Sequence, residues 1–183
     1  MTPSARLHGS VTGGALALLL AIGAFSASAQ DVSLEYRVKA TYIYHFVQFV
    51  EWPAGAVSGS LTICVAGRNP FGPVLEQTLR GETVNGRPLA TRVILEPEPG
   101  CHVVFVPQGA ATTAYLRAAR GTPTLTLGET ANFIRLGGIA NFYLDRSNVR
   151  IEISPAAADR AQLRVSSRLL QLARIVGASG EVP

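Results

Sequence analysis

The chain has 183 residues, of which 48% are hydrophobic and 15% charged. That composition suits one domain of ordinary size and excludes a disordered tail, a collagen and a disulfide-dense miniprotein. Sixteen basic residues against twelve acidic give a formal charge of +4. Lys39 is the sole lysine and no Lys/Arg block occurs, so the sequence points away from nucleic acid as a partner.

Residues 1–29 read as a signal peptide. Arg6 supplies the positive n-region, Ala15 to Phe25 the apolar core, and Ala27-Ser28-Ala29 the small-x-small cleavage site before Gln30. The competing reading is an uncleaved anchor, but the apolar run is short and Gly-interrupted against the ~20 residues a span needs. Export implies an oxidising compartment for residues 30–183.

Ser33 to Glu51 has helical periodicity through Val38, Tyr42, Phe46, Phe49 and Val50, widened by Ala40, Ile43 and Val47. Glu35 and Lys39 form a favourable i,i+4 pair, and Trp52-Pro53 ends the helix. Leu61 to Ala66 reads as a buried strand, Gly67 to Gly72 as a turn, and Phe71 to Leu79 as a helix. Asn85-Gly86 signals a turn; Thr91 to Leu95 and His102 to Val106 are strands. Ala110 to Ala119 reads as a helix, Thr124 to Leu127 as a strand, and Thr130 to Leu136 as a short helix stopped by Gly137-Gly138.

Ile139 to Leu144 and Val149 to Ile153 alternate about Asp145 to Asn148, which predicts a hairpin. Ser154-Pro155 is a cap followed by an N1 proline, opening a helix to about Ala161. Leu163 to Val165 breaks the pattern, and Ser166 caps a second helix over Arg168 to Val176. The fold class is α/β: a single domain with a mixed β-sheet flanked by helices and a late antiparallel hairpin.

Chemistry is sparse. Cys64 and Cys101 are the only cysteines. In an oxidising compartment the natural reading is a disulfide; the competing one is a catalytic thiol at Cys101 with His102 as base. Gly67-Arg68-Asn69-Pro70-Phe71-Gly72 lies where a phosphate loop would, but matches neither a dinucleotide fingerprint nor a Walker A, so a plain strand-to-helix turn is favoured. There is no H-E-x-x-H, no paired-Cys motif, no Gly-x-Ser-x-Gly and no local carboxylate pair. These readings assign no enzyme activity, no metal and no cofactor.

Arg160, Arg164 and Arg168 recur every four residues. On one continuous helix they would form a stripe for an acidic partner or anionic ligand, or simply a solvated face. Trp52 and Phe71 stand in turns next to helices, either as interface anchors or as core residues.

Several stretches taken in order resemble the YfiR family. They are Lys39-Ala40 leading to Phe49-Val50-Glu51-Trp52-Pro53, then Asn69-Pro70-Phe71-Gly72 and Asn85-Gly86-Arg87-Pro88. Pro123-Thr124-Leu125-Thr126-Leu127-Gly128-Glu129 and Gly137-Gly138-Ile139-Ala140-Asn141-Phe142 follow. The last are Val149-Arg150-Ile151-Glu152-Ile153 and Ser166-Ser167-Arg168-Leu169-Leu170. The resemblance implies a small non-catalytic periplasmic domain that binds the periplasmic sensor domain of an inner-membrane diguanylate cyclase. Such binding represses the cyclase and lowers cyclic-di-GMP and biofilm formation. It also implies capture by an outer-membrane lipoprotein, homodimerisation, and a disulfide at Cys64 and Cys101. Other relatives serve as input domains of sensor kinases, so a small-ligand sensor acting on such a receptor is the alternative.

Overall fold

In the segment Leu61–Ala66, Leu61, Ile63 and Val65 pack into one core while Cys64 and Ala66 pack into another. A strand buried on both faces belongs in the middle of a sheet covered on both sides. The computed structural model, which describes residues 32–177, has that architecture. The predicted leader, residues 1–29, lies outside the described residues.

In chain order the elements are α1 (Leu34–Phe49), β1 (Val50–Glu51), β2 (Leu61–Ala66), α2 (Val74–Leu79), β3 (Thr83–Val84), β4 (Arg87–Ile94) and β5 (Val103–Val106). Then come α3 (Thr112–Ala118), β6 (Leu125–Gly128), β7 (Ala140–Asp145), β8 (Asn148–Ile153), α4 (Pro155–Arg160), β9 (Arg164–Val165), α5 (Ser167–Leu170) and β10 (Arg174–Ile175). Eight strands form one mixed sheet in the order β10-β8-β7-β6-β5-β2-β4-β3, and β1 pairs separately with β9. Strands β4, β2, β5, β6 and β7 run parallel. The β7–β8 hairpin adds the antiparallel pairing that the sequence predicts, turning at Arg146 and Ser147, both with positive φ.

The larger core lies under α1, α2 and α4, where Ile43, Phe46 and Val47 of α1 meet Phe105 of β5 and Phe142 of β7. The smaller core lies on the opposite face, where Tyr115 and Leu116 of α3 cover Cys64, Val104 and Val106. Both faces of β5 are filled in the same alternation as β2. Ser154 caps α4 as predicted, its Oγ accepting from the Ala157 N–H at 3.3 Å.

Several elements differ from the sequence reading. The strand predicted at Thr91 to Leu95 starts at Arg87 and ends at Ile94. The helix predicted from Phe71 begins only at Val74, because Asn69 Oδ1 accepts from the Phe71 N–H and holds the preceding residues in a side-chain-closed turn. Thr130 to Leu136 is a series of turns instead of a helix. There the Phe133 ring is wedged between Gly128 and Gly138, where a Cβ at either position would sit 2.2 Å from ring atoms. The predicted helix over Arg168 to Val176 stops at Leu170, and Arg174–Ile175 instead extends the sheet beside Glu152 and Ile153.

Candidate functional site

Helix α1 ends at Phe49, two residues short of the predicted Glu51, because Val50 and Glu51 turn extended as β1; Trp52-Pro53 follows this strand. Helix α4 ends at Ala161, and Gln162 takes a left-handed φ of 58° that turns the chain into β9. The two exits meet: Val50 pairs with Val165 and Glu51 with Arg164, and the Ser166 N–H donates to the Phe49 carbonyl at 2.9 Å. A cleft of about 500 Å³ opens beside this two-stranded clamp. It is lined by Glu51, Trp52, Pro53, Asp159 and Arg164, so it offers an indole, two carboxylates and one guanidinium.

The indole is half-buried, and its Nε1–H is the only orphaned buried side-chain donor among the described residues. An unmade bond of this kind costs roughly 1–3 kcal/mol; the nitrogen itself is sealed from solvent, so the cleft presents the indole ring and not its N–H. Trp52 and Arg164, singled out separately in the sequence, thus share one wall.

The other sequence candidates do not join them. Phe71 is fully buried in the larger core, edge-on to Tyr36 and to Phe105 at 4.9 Å between ring centroids with the latter, so it is a packing residue in this fold. Arg160 faces a different groove on the far side of α4, and Arg168 is exposed on α5. The four-residue stripe does not form, because the turn at Gln162 and the strand β9 separate the three arginines.

Cys64 and Cys101 are joined, with their Cα atoms 5.7 Å apart. This removes the thiol that a Cys-His pair would need. His102 is committed elsewhere: its Nδ1 accepts from the Thr62 N–H at 3.0 Å. Burial holds its pKa below the ordinary imidazole range; a bond to the Ala56 carbonyl opposes this and the Arg87 charge reinforces it. Arg92 covers the disulfide, its Nη2 3.6 Å from the Cys101 Sγ, while bonding the Pro99 carbonyl at 3.1 Å and pairing with Glu98 at 3.2 Å.

The Gly67–Gly72 loop is consumed by its own bonds. The Gly67 N–H donates to the Ile94 carbonyl at 2.7 Å, and Asn69 Nδ2 to the Gly72 carbonyl at 3.0 Å. Those groups therefore stabilise the turn instead of presenting donors to a phosphate.

One polar cluster escaped the sequence reading. Lys39 is only 3% exposed. Its Nζ lies 2.6 Å from Glu129 Oε2 and also pairs with Glu35. Glu129 Oε1 accepts from the Tyr36 hydroxyl at 3.0 Å and from the Gln108 N–H at 2.8 Å. Burial first, then the Glu129 charge and hydrogen bond and the Glu35 charge, push the Tyr36 hydroxyl well above the ordinary phenol range. A signal did exist: Lys39 lies in helical phase with Ile43, Phe46 and Val50, on the face that is otherwise apolar.

No helix among the described residues is long and apolar enough to cross a membrane, and no group of three metal-ligating side chains occurs among them. Among curated proteins none matches the chain. Among solved structures, a conserved domain protein from Vibrio cholerae O1 biovar El Tor is similar at 13% identity and a TM-score of 0.53, over 76% of this chain and 59% of that one. The chain therefore spans less than two thirds of that structure, and the likeness is one of fold alone. The family model described as YfiR/HmsC-like matches residues 36–174. With the match running from the first helix to the last strand, the chain belongs to the YfiR/HmsC-like family.

Proposed function

We propose that this protein is a periplasmic regulator that docks onto the periplasmic sensor domain of an inner-membrane diguanylate cyclase and holds the cyclase inactive. The family match over residues 36–174 carries this reading. The Trp52–Arg164 cleft supports a docking role, since aromatic and arginine side chains anchor interfaces more than other types.

Repression requires that the protein bind the inactive state of the receptor more tightly than the active one. Moving a receptor from 99% active to 99% inactive takes a preference of about 10⁴-fold, or ~5.5 kcal/mol. An interface of ordinary size with one or two anchoring side chains can supply that preference. Capture by an outer-membrane lipoprotein would relieve repression by competition for the same surface, and a homodimer would present two such surfaces.

The decisive experiment is deletion of the gene followed by measurement of cyclic-di-GMP and surface attachment. Both should rise and return to the starting level on complementation. Unchanged cyclic-di-GMP would overturn the cyclase assignment and turn attention to a sensor kinase as the receptor.

A further inference from the structure

Arg120 follows α3, Arg135 stands in the turn region after β6, and Arg160 is the last residue of α4. These three elements bring the arginines to the rim of one groove of about 610 Å³, floored in part by Leu116, Ile139 and Ala157. No carboxylate lines it. The cleft beside the disulfide holds Glu98, the Trp52 cleft holds Glu51 and Asp159, and the groove along the start of α1 holds Glu35. Among the described residues none of the three arginines forms an ion pair, and Arg135 makes one long bond, to Asn132 Oδ1 at 3.4 Å.

Helix ends explain part of this arrangement, since a cation in the last turn of α4 offsets the helix carbonyls. Arg135 belongs to no helix and has no such duty. Three like charges around one concavity repel one another, and the concavity concentrates their field on whatever enters it. Each guanidinium presents a planar fork that matches a carboxylate or phosphate edge. The apolar floor suits a carbon body beneath the charged groups, and the volume is that of a small-molecule site.

We propose that the Arg120–Arg135–Arg160 groove binds a small organic polyanion carrying two or more carboxylate or phosphate groups. The site lies on the opposite side of α4 from the Trp52 cleft and stands independently of the docking reading. It could not be read from the four-residue arginine spacing, because only Arg160 of that stripe contributes to it.

Isothermal titration of the mature protein tests the proposal, with citrate as the polycarboxylate probe, pyrophosphate as the phosphate probe and glycerol as a neutral control. One probe or both should bind saturably at one per chain and weaken as sodium chloride is raised. Tighter citrate identifies a carboxylate ligand, and tighter pyrophosphate a phosphate one. Arg120→Gln, Arg135→Gln and Arg160→Gln should each weaken binding roughly ten-fold, as loss of a charge-assisted hydrogen bond predicts. Arg117→Gln, outside the groove, should leave binding unchanged. The three arginine side chains are exposed, so the unliganded melting temperature of each variant should match that of the parent. No saturable binding of either probe would overturn the proposal. Equal weakening by Arg117→Gln would also overturn it, by showing a diffuse basic surface.

Discussion

The ammonium of Lys39 sits 2.6 Å from a carboxylate oxygen of Glu129, ninety residues further along the chain, and both side chains are almost wholly buried. This pair joins α1 to the loop after β6, and the Gln108 N–H on the same carboxylate ties in the loop after β5. A buried charge is tolerated only when paired and hydrogen-bonded, and here each partner meets that condition through the other. The covering helix is thereby fixed in register over the carboxyl ends of two central strands.

Removing one partner strands the other. Lys39→Met should destabilise the protein by about 3–5 kcal/mol, read as a fall in the urea midpoint. The double variant Lys39→Met with Glu129→Leu should recover only part of that loss, since the uncompensated carboxylate is gone but the Tyr36 hydroxyl and the Gln108 N–H lose their acceptor. Equal destabilisation of the single and double variants would show that the pair itself, not the stranded charge, governs stability. Because Lys39 is the sole lysine, an amine-directed label should reach it only after denaturation.

The disulfide spans 37 residues and links the centre of the sheet to the start of β5. Cross-linking a loop of that length limits the unfolded chain by about 4 kcal/mol on the chain-entropy account. Cys64→Ser together with Cys101→Ser should lower stability by up to that amount, a large share of the ~5–15 kcal/mol typical of a domain. Denaturant titration with and without dithiothreitol checks this: the reductant should destabilise the parent and leave the double variant unchanged.

How much of this was legible in the sequence depends on how local the cause is. Ser154-Pro155, the turn at Arg146-Ser147 and the continuous apolar run of β2 act within a few residues, and the structure follows them. Residues 171–176 look helical from Leu172 and Ala173, but Arg174 pairs with Glu152 and stacks on Tyr143 at 4.6 Å, and these distant contacts make a strand. The same limit applies to function. Trp52 and Arg164 are each visible as candidates, but their shared cleft comes from the pairing of Glu51 with Arg164, which no spacing encodes. Phe71 was equally visible and is core, because an aromatic in a turn does not declare which way it faces.

Stability should depend on His102 in mildly acid solution. Its folded-state pKa lies below the ordinary value because burial disfavours the imidazolium, and its Nδ1 is already occupied as an acceptor for the Thr62 N–H. The unfolded chain takes up this proton near pH ~6.5 while the folded one resists. The stabilising contribution is therefore complete above that pH and is lost progressively as pH falls toward the folded pKa. Melting temperature should decline between about pH 7 and 5.5 in the parent. In His102→Asn, whose amide oxygen can still accept from Thr62, the decline should be shallower; identical slopes would remove His102 from the account.

The proposed docking face has a built-in reporter, since Trp52 is the only tryptophan in the chain. Its emission should shift when the purified periplasmic domain of the receptor binds, because the half-buried indole would pass from a partly wet cleft to a closed interface. Arg164→Glu reverses the one positive charge in that cleft and leaves the core untouched, so the variant should fold, with a loss of roughly 0.2–1 kcal/mol from the new carboxylate facing Glu51 across the strand pair. It should bind at least ten-fold more weakly if Arg164 is an anchoring side chain, corresponding to a loss of about 1.4 kcal/mol or more. In cells the same variant should raise cyclic-di-GMP toward the level of the deletion. Normal repression by Arg164→Glu, together with an unmoved Trp52 emission on binding, would place the contact surface elsewhere on the domain.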